Sequence, residues 1–296
     1  MVAKLTVTKE TGELLFDTTR ICYGLVKSGY LTYISSWSRR TLRSAQLDKN
    51  DGANWTTSSE AVVSDGTWDP MYGFTLSNFK SPIVFLTGPG CLVGTVVSGA
   101  NITFYYANAG ASTKFYCFDF MANNIAGSPY LKTYDASGVL TFNSLQVPLN
   151  VVATLQAPPP SVDTGSGIRG WAYEGGTNQV LQQWLSSVNG RQRYPRAQCI
   201  YTYSLSAGVE YAAHLPWARS AGLTLGIDVA GNTTDGGVSE GAYGGVGGVT
   251  FQMGSTGGTT FDTQVVQING FRWHNVPLVF PTALVIKTAN LPFPFN

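Results

Sequence analysis

The chain has 296 residues, of which 12% are Asp, Glu, Lys or Arg, with a formal net charge of +1. That charge density is about half of the usual quarter, and it leaves no row of Lys and Arg to neutralise phosphates, which argues against binding DNA or RNA. Glycine, aromatic residues, Ser, Thr and Asn fill the positions that charges vacate, so the composition predicts a turn-rich β protein large enough for two ordinary domains.

In chain order, the run LTVTK leads through a turn into ELLFD, and Gly12 supplies the positive φ that such a hairpin turn needs. GYLTYISSW continues as strand. The cluster SRRTLR at 38–43 contributes Arg39 and Arg40, expected as subunit-contact residues. The loop-like region DGANWTTSSEAVVSDGTWDPMYG contains Trp55, Trp68 and Tyr72, a candidate stacking surface for sugars, with anchoring of the loop to the core as the competing reading. Further strand-like segments follow: YGFTLSNF, SPIVFLTG, NITFYYAN, TKFYCFDFM, LKTYD, VLTFNS and LNVVATL. Aromatic residues in TKFYCFDFM are too dense for strict alternation and predict a central strand covered on both faces or an interface strand. GPGCLVGT at 88–95 lacks the Lys of a phosphate-binding loop and reads as a turn.

The composition changes sharply in QAPPPSVDTGSGIRG, residues 156–170, where successive prolines and then glycines favour an extended connection. A boundary is expected there. Beyond it, TNQVLQQWLSSVNG at 177–190 places Val180, Leu181, Trp184, Leu185 and Val188 on one helical stripe, which predicts the one short helix of the chain. NGRQRYPR at 189–196 supplies Arg191 and Arg193, again expected as contact residues. The glycine-dense stretch from Gly226 to Gly258 reads as long loops or an arm, and the apolar end NLPFPFN is expected to dock on the body or on a neighbouring subunit.

Few motifs carry chemistry. GVSEG at 237–241 satisfies G-x-S-x-G, with Asp262 and His274 downstream, yet Ser239 precedes one of the poorest helix-forming stretches in the chain, so a nucleophile elbow is not expected. Cys22, Cys91, Cys117 and Cys199 form no C-x-x-C pair and are expected as buried free thiols, with disulfides left open. His214 and His274 have no second ligand at metal spacing, and His214 is expected as a packed or interface residue. No catalytic residue, cofactor or metal site is predicted. No window reaches the roughly 18 apolar residues of a membrane span, and MVAKLTVTKE lacks the apolar core of a signal peptide. Synthesis in a cytoplasm without membrane insertion is therefore expected.

One local pattern recurs: TGELLFDT at 11–18 returns as SGVLTFNS at 137–144, displaced by 126 residues (138 − 12). Both copies look like the [DN]-x-[ST]-G-x-L-x-F-[DN]-[ST] hairpins frequent in tail proteins of tailed bacteriophages. SPIVFLTGPGCLVG followed by FYYANAGASTKFYCFDFM resembles an uncharacterised family of virion proteins from phages of Gram-negative bacteria, over roughly residues 1–155. The resemblance implies a structural part of the particle at the distal tail, made in the host cytoplasm, with other tail or virion proteins as partners. Together the readings predict an all-β protein: a β-sandwich-like tail-docking domain at 1–156, a Pro/Gly-rich linker at 157–170 and a β-rich domain at 171–296. Assembly as a symmetric homo-oligomer, most simply a trimer, is expected. Three other roles stay open: a receptor- or glycan-binding tail protein recognising a bacterial surface glycan, a capsid decoration protein, and a polysaccharide depolymerase or esterase.

Overall fold

The structure, a computed structural model, describes residues 6–8, 10–12, 14–17, 20–36, 39–42, 47–48, 51–58, 70–182, 185–188, 191–193, 196–226, 233–255, 260–264 and 270–295. Their regular structure is β-strand, apart from a single 3-10 turn at Gly52–Asn54. The all-β expectation is met.

Phe104 and Phe115 show why the first half layers. A four-stranded antiparallel sheet runs in the order Thr32–Ser36, Pro70–Ser77, Asn101–Ala107, Cys91–Ser98. Its inward residues Phe74, Leu76, Ile102 and Phe104 pack on Leu86, Phe115 and Cys117 of a second sheet. The Phe74 ring stacks on Phe115 at 3.8 Å and on Phe104 at 5.0 Å between centroids. The strand Lys114–Phe120 lies between Tyr23–Tyr30 and Ile83–Thr87. Alternation sends Phe115 and Cys117 into this core and Tyr116 and Phe118 into another with Leu25, Phe85 and Ile286. This strand is thus covered on both faces, as its aromatic density predicts.

That second sheet continues into the other half of the chain. Ile83–Thr87 meets Tyr211–His214 at Leu86 and Ala213, and runs parallel to Thr233–Gly245 at Thr87 and Gly244. Ala153–Gln156 pairs with Thr282–Lys287. Strands from both sides of the 157–170 segment therefore belong to one hydrogen-bonded sheet. The segment itself is tied down: the Ala157 N–H donates to Pro281, the Glu174 N–H to Pro159 and the Ser161 N–H to Trp171. A third core, built from Tyr173, Leu223, Phe251, Met253, Trp273 and Val285 among others, fills this half.

Two expectations fail here. The described residues of 177–190 are not helical: Thr177–Gln182 and Leu185–Val188 are strands, the first pairing with Arg196–Ser204, while Trp184 lies outside the described residues. Tertiary bonds overrule the helical stripe, because Asn178 donates to the Gly170 carbonyl at 2.9 Å and accepts the Trp273 indole N–H at 3.1 Å. Val180 and Leu181 of that stripe remain 38% and 44% exposed. The glycine-dense stretch is likewise not an arm, for Thr233–Gly245 and Gly248–Ser255 form a long antiparallel hairpin inside the main sheet. Its glycines allow close approach: a Cβ at Gly244 would lie 2.0 Å from the Tyr211 carbonyl oxygen, and one at Gly241 2.7 Å from that of Gly90.

The repeated hairpins are alike in register. Thr6, Val7 and Thr8 face Asp17, Phe16 and Leu14, while Lys132, Thr133 and Tyr134 face Asn143, Phe142 and Leu140, every pair displaced by the same 126 residues. The irregularity falls between Val7 and Thr8 and between Thr133 and Tyr134, and the turn glycines Gly12 and Gly138 have φ of +83° and +80°. Both exits tighten identically, the Arg20 N–H donating to Asp17 and the Gln146 N–H to Asn143. The two exit segments then lie antiparallel: the Leu25 N–H donates to Val147 at 2.8 Å and the Leu149 N–H to Tyr23 at 2.9 Å, around a bridge between Gly24 and Pro148. Leu149 stands 126 residues after Tyr23 (149 − 23), so the pairing joins a residue to its own counterpart in the repeat.

The C-terminal run docks on the body. Ser28 and Phe295 exchange main-chain hydrogen bonds of 2.7 and 3.0 Å, and the Phe293 ring meets Tyr30 edge-on at 5.0 Å. This covers the Ser28 end of the Tyr23–Tyr30 edge that faces away from Lys114–Phe120, whose Tyr23–Leu25 end is met by residues 147–149.

Candidate functional site

The residues singled out in the sequence are spread over separate elements. Tyr72 sits in Pro70–Ser77 opposite Tyr33 and Tyr106, with its ring edge-on to Tyr33 at 6.0 Å, and packs against the core around Phe74 and Phe104. Trp55 pairs with Leu42, and Arg39 and Arg40 pair with Ser58 and Thr57, in a ribbon that joins the main sheet where Arg40 meets Thr260. Arg191 and Arg193 face Val188 and Leu185 in a separate two-stranded hairpin. Trp68 lies outside the described residues.

Ser239 lies inside the strand Thr233–Gly245, facing Ser220 and Gly254, and no strand-to-helix elbow surrounds it. His274 shares a 2.6 Å hydrogen bond with Thr224 instead. The neighbour of Ser239 is more instructive. Glu240 and Arg219 form a completely buried ion pair at 2.7 Å, with further bonds from Arg219 Nε at 2.9 Å and from the Tyr173 hydroxyl at 2.9 Å. Burial pulls the guanidinium towards neutrality, but the hydrogen bonds and charge of Glu240 outweigh it and hold Arg219 above its ordinary range. Arg219 also donates to the carbonyls of Pro158 and Pro277 and lies over the Tyr173 and Phe280 rings. With every group satisfied and water excluded, this cluster fastens the proline run to the sheet.

His214 is packed rather than open. Its Nδ1 lies 3.0 Å from the Val84 carbonyl, which can only accept and so fixes the proton on that nitrogen. Burial holds the imidazole below its usual range despite the Val84 bond, which acts in the other direction. Cys91, Cys117 and Cys199 are buried and Cys22 is partly buried, and none of the four is in a disulfide among the described residues. Burial pushes Cys199 up to about 11, far from thiolate reactivity at neutral pH. Among the described residues, no three His, Cys, Asp or Glu side chains gather as metal ligands, and no helix is long and apolar enough to cross a membrane.

An open cavity of about 570 Å³ lies beside the second repeated hairpin. Leu140 and Val139 of that hairpin form one wall, Asn78 and Lys80 another, and the segment from Asp119 to Ile125 a third. The walls are held by a satisfied polar layer. The Asp119 carboxylate, almost wholly buried, accepts the main-chain N–H groups of Lys80, Ser81 and Phe120 at 2.7 to 2.8 Å. Gln146 accepts the Ala122 N–H at 2.6 Å and donates to Leu25, while Asn143 donates to the Ala122 carbonyl at 2.8 Å. Lys132 grips Asn123 through its carbonyl at 3.1 Å and its Oδ1 at 2.8 Å. None of these residues was singled out from the sequence. The repeat itself was the available signal, since Asn143 and Gln146 close its second copy.

The chain matches no family model, no curated protein and no solved structure.

Proposed function

We propose that the chain is a structural component of a bacteriophage tail tip or baseplate, or of a fibre attached there, and that it assembles as a symmetric homo-oligomer contributing to host attachment. The observation that carries this reading is the pair of tail-type hairpins folded in one common register. In the second copy Asp135, at the acidic position of the pattern, accepts the Ser137 and Val139 N–H groups at 2.8 and 2.9 Å, which gives the motif a turn-closing role.

Surface chemistry supports assembly. The strand Cys91–Ser98 borders the four-stranded sheet, carries no charged residue and exposes Val96 and Val97 at 53% and 58%. Monomeric proteins normally protect such an edge with charge or proline. A neighbouring subunit or another tail protein would pair there, with trimeric closure the simplest ring.

Antibody labelling of purified phage particles, viewed by electron microscopy, tests the reading. Label on the distal tail supports it, label over the head favours the decoration role, and absence from the particle overturns it. Attachment through a surface glycan is favoured as a second role by the open cavity, whose polar rim is unspent.

A further inference from the structure

We infer that the 570 Å³ cavity beside the second hairpin is a binding site for an acidic saccharide, a sugar unit bearing a carboxylate. The inner polar layer is spent: Asp119, Gln146 and Asn143 all bond to main chain, which fixes the walls. The outer groups are not. The side chains of Asn78, Asn124 and Lys80 are exposed at the cavity and have no partner among the described residues, and Asn123 keeps its amide nitrogen free while its oxygen is gripped by Lys132. A rigid wall with a few unspent polar groups on its rim is the usual construction of a small-ligand site.

The identity of those groups selects the ligand. Two carboxamides open as donor and acceptor, Asn78 and Asn124, and the Asn123 amide nitrogen as a donor match a ring of hydroxyls. The Lys80 ammonium forms no ion pair among the described residues, and the one carboxylate in the lining, that of Asp119, is turned to three main-chain N–H groups, so the rim leaves the ammonium open to an anion. Phe120, 36% exposed and held edge-on by Tyr23 at 5.2 Å, offers an aromatic surface, and Leu76 and Met121 an apolar floor for the C–H face of a sugar. An aliphatic carboxylate would satisfy Lys80 but desolvate three amides without return, and a neutral hexose would do the reverse. A sugar acid serves both.

The site stands on the cavity alone, so its failure and that of the tail reading are separable: this test uses purified chain, the other uses particles. Saturation-transfer NMR and calorimetry would compare N-acetylneuraminic acid and galacturonic acid oligosaccharides with glucose and with laurate. Binding of an acidic sugar in the millimolar range or tighter, weakened about tenfold or more by Lys80→Ala and by a smaller factor by Asn124→Ala, is the expected result. Both positions are exposed, so the variants keep the fold. Equal binding of glucose, binding indifferent to Lys80→Ala, binding of laurate alone, or no binding of any acidic sugar in that range would each overturn the assignment.

Discussion

Arg219 and Glu240 meet at 2.7 Å with both side chains fully buried, and each holds main chain as well: Arg219 the Pro158 and Pro277 carbonyls, Glu240 the Arg219 N–H. Removing one partner strands the other charge without water. Arg219→Ala or Glu240→Ala should therefore cost roughly 3–5 kcal/mol in urea unfolding, whereas the paired replacement Arg219→Met with Glu240→Leu should cost clearly less than either. Near-additive losses in the double variant would show that the charges act independently.

Gly244 and Gly245 are adjacent in one strand and differ in their surroundings. A Cβ at Gly244 meets main chain of Tyr211 at 2.0 Å, while one at Gly245 meets nothing within 4 Å. Gly244→Ala should destabilise the protein by at least about 2 kcal/mol and Gly245→Ala should be close to neutral. Thermal unfolding of the two variants distinguishes a packing requirement from a general tolerance of the glycine-rich strand.

Acid should loosen the fold in two stages. His214 is held below its ordinary 6.5, so below that pH the unfolded chain takes up a proton that the folded chain refuses, and stability falls as pH drops from about 6.5 towards the folded value. His214→Gln should flatten this part of the stability profile.

The second stage belongs to Glu210. Burial raises its carboxyl, but the hydrogen bonds from Lys114 at 2.8 Å and from Thr288 outweigh it and leave the group below its ordinary 4.5. The stabilisation is complete above 4.5 and is lost as pH falls through the folded value, and for a partly exposed pair it amounts to no more than about 1 kcal/mol. Glu210→Gln should remove the pH dependence in this lower window and leave the His214 stage unchanged.

The turn glycines offer a paired test of the repeat. Gly12 and Gly138 have φ of +83° and +80°, and a Cβ added at either would meet nothing within 4 Å, so the cost of Ala is conformational alone. Each substitution should cost about 1 kcal/mol, read as faster amide exchange within its own hairpin.

Where local pattern and tertiary demand coincide, the fold was legible. Alternation and turn glycines located both hairpins, and aromatic crowding marked Lys114–Phe120 as covered on two faces. Legibility failed at Asn178, whose bonds to Gly170 and Trp273 hold a helix-patterned segment extended, and at Gly241 and Gly244, where absent side chains admit neighbouring main chain. Each depends on a partner distant in sequence. The cavity was hidden for the same reason, because Lys80, Asn124 and Asn143 come from three segments that only the fold assembles.

Ser28 and Phe295, which exchange two main-chain hydrogen bonds, also set a timetable for synthesis. A ribosome adding roughly 5–20 residues per second needs about a quarter of a minute to a minute to travel from one to the other. Throughout that interval the Ser28 end of the Tyr23–Tyr30 edge stays open on the nascent chain, available to chaperones and to strands of other nascent copies even after residues 147–149 can cover its Tyr23–Leu25 end, and it closes only when residues 292–295 have left the exit tunnel.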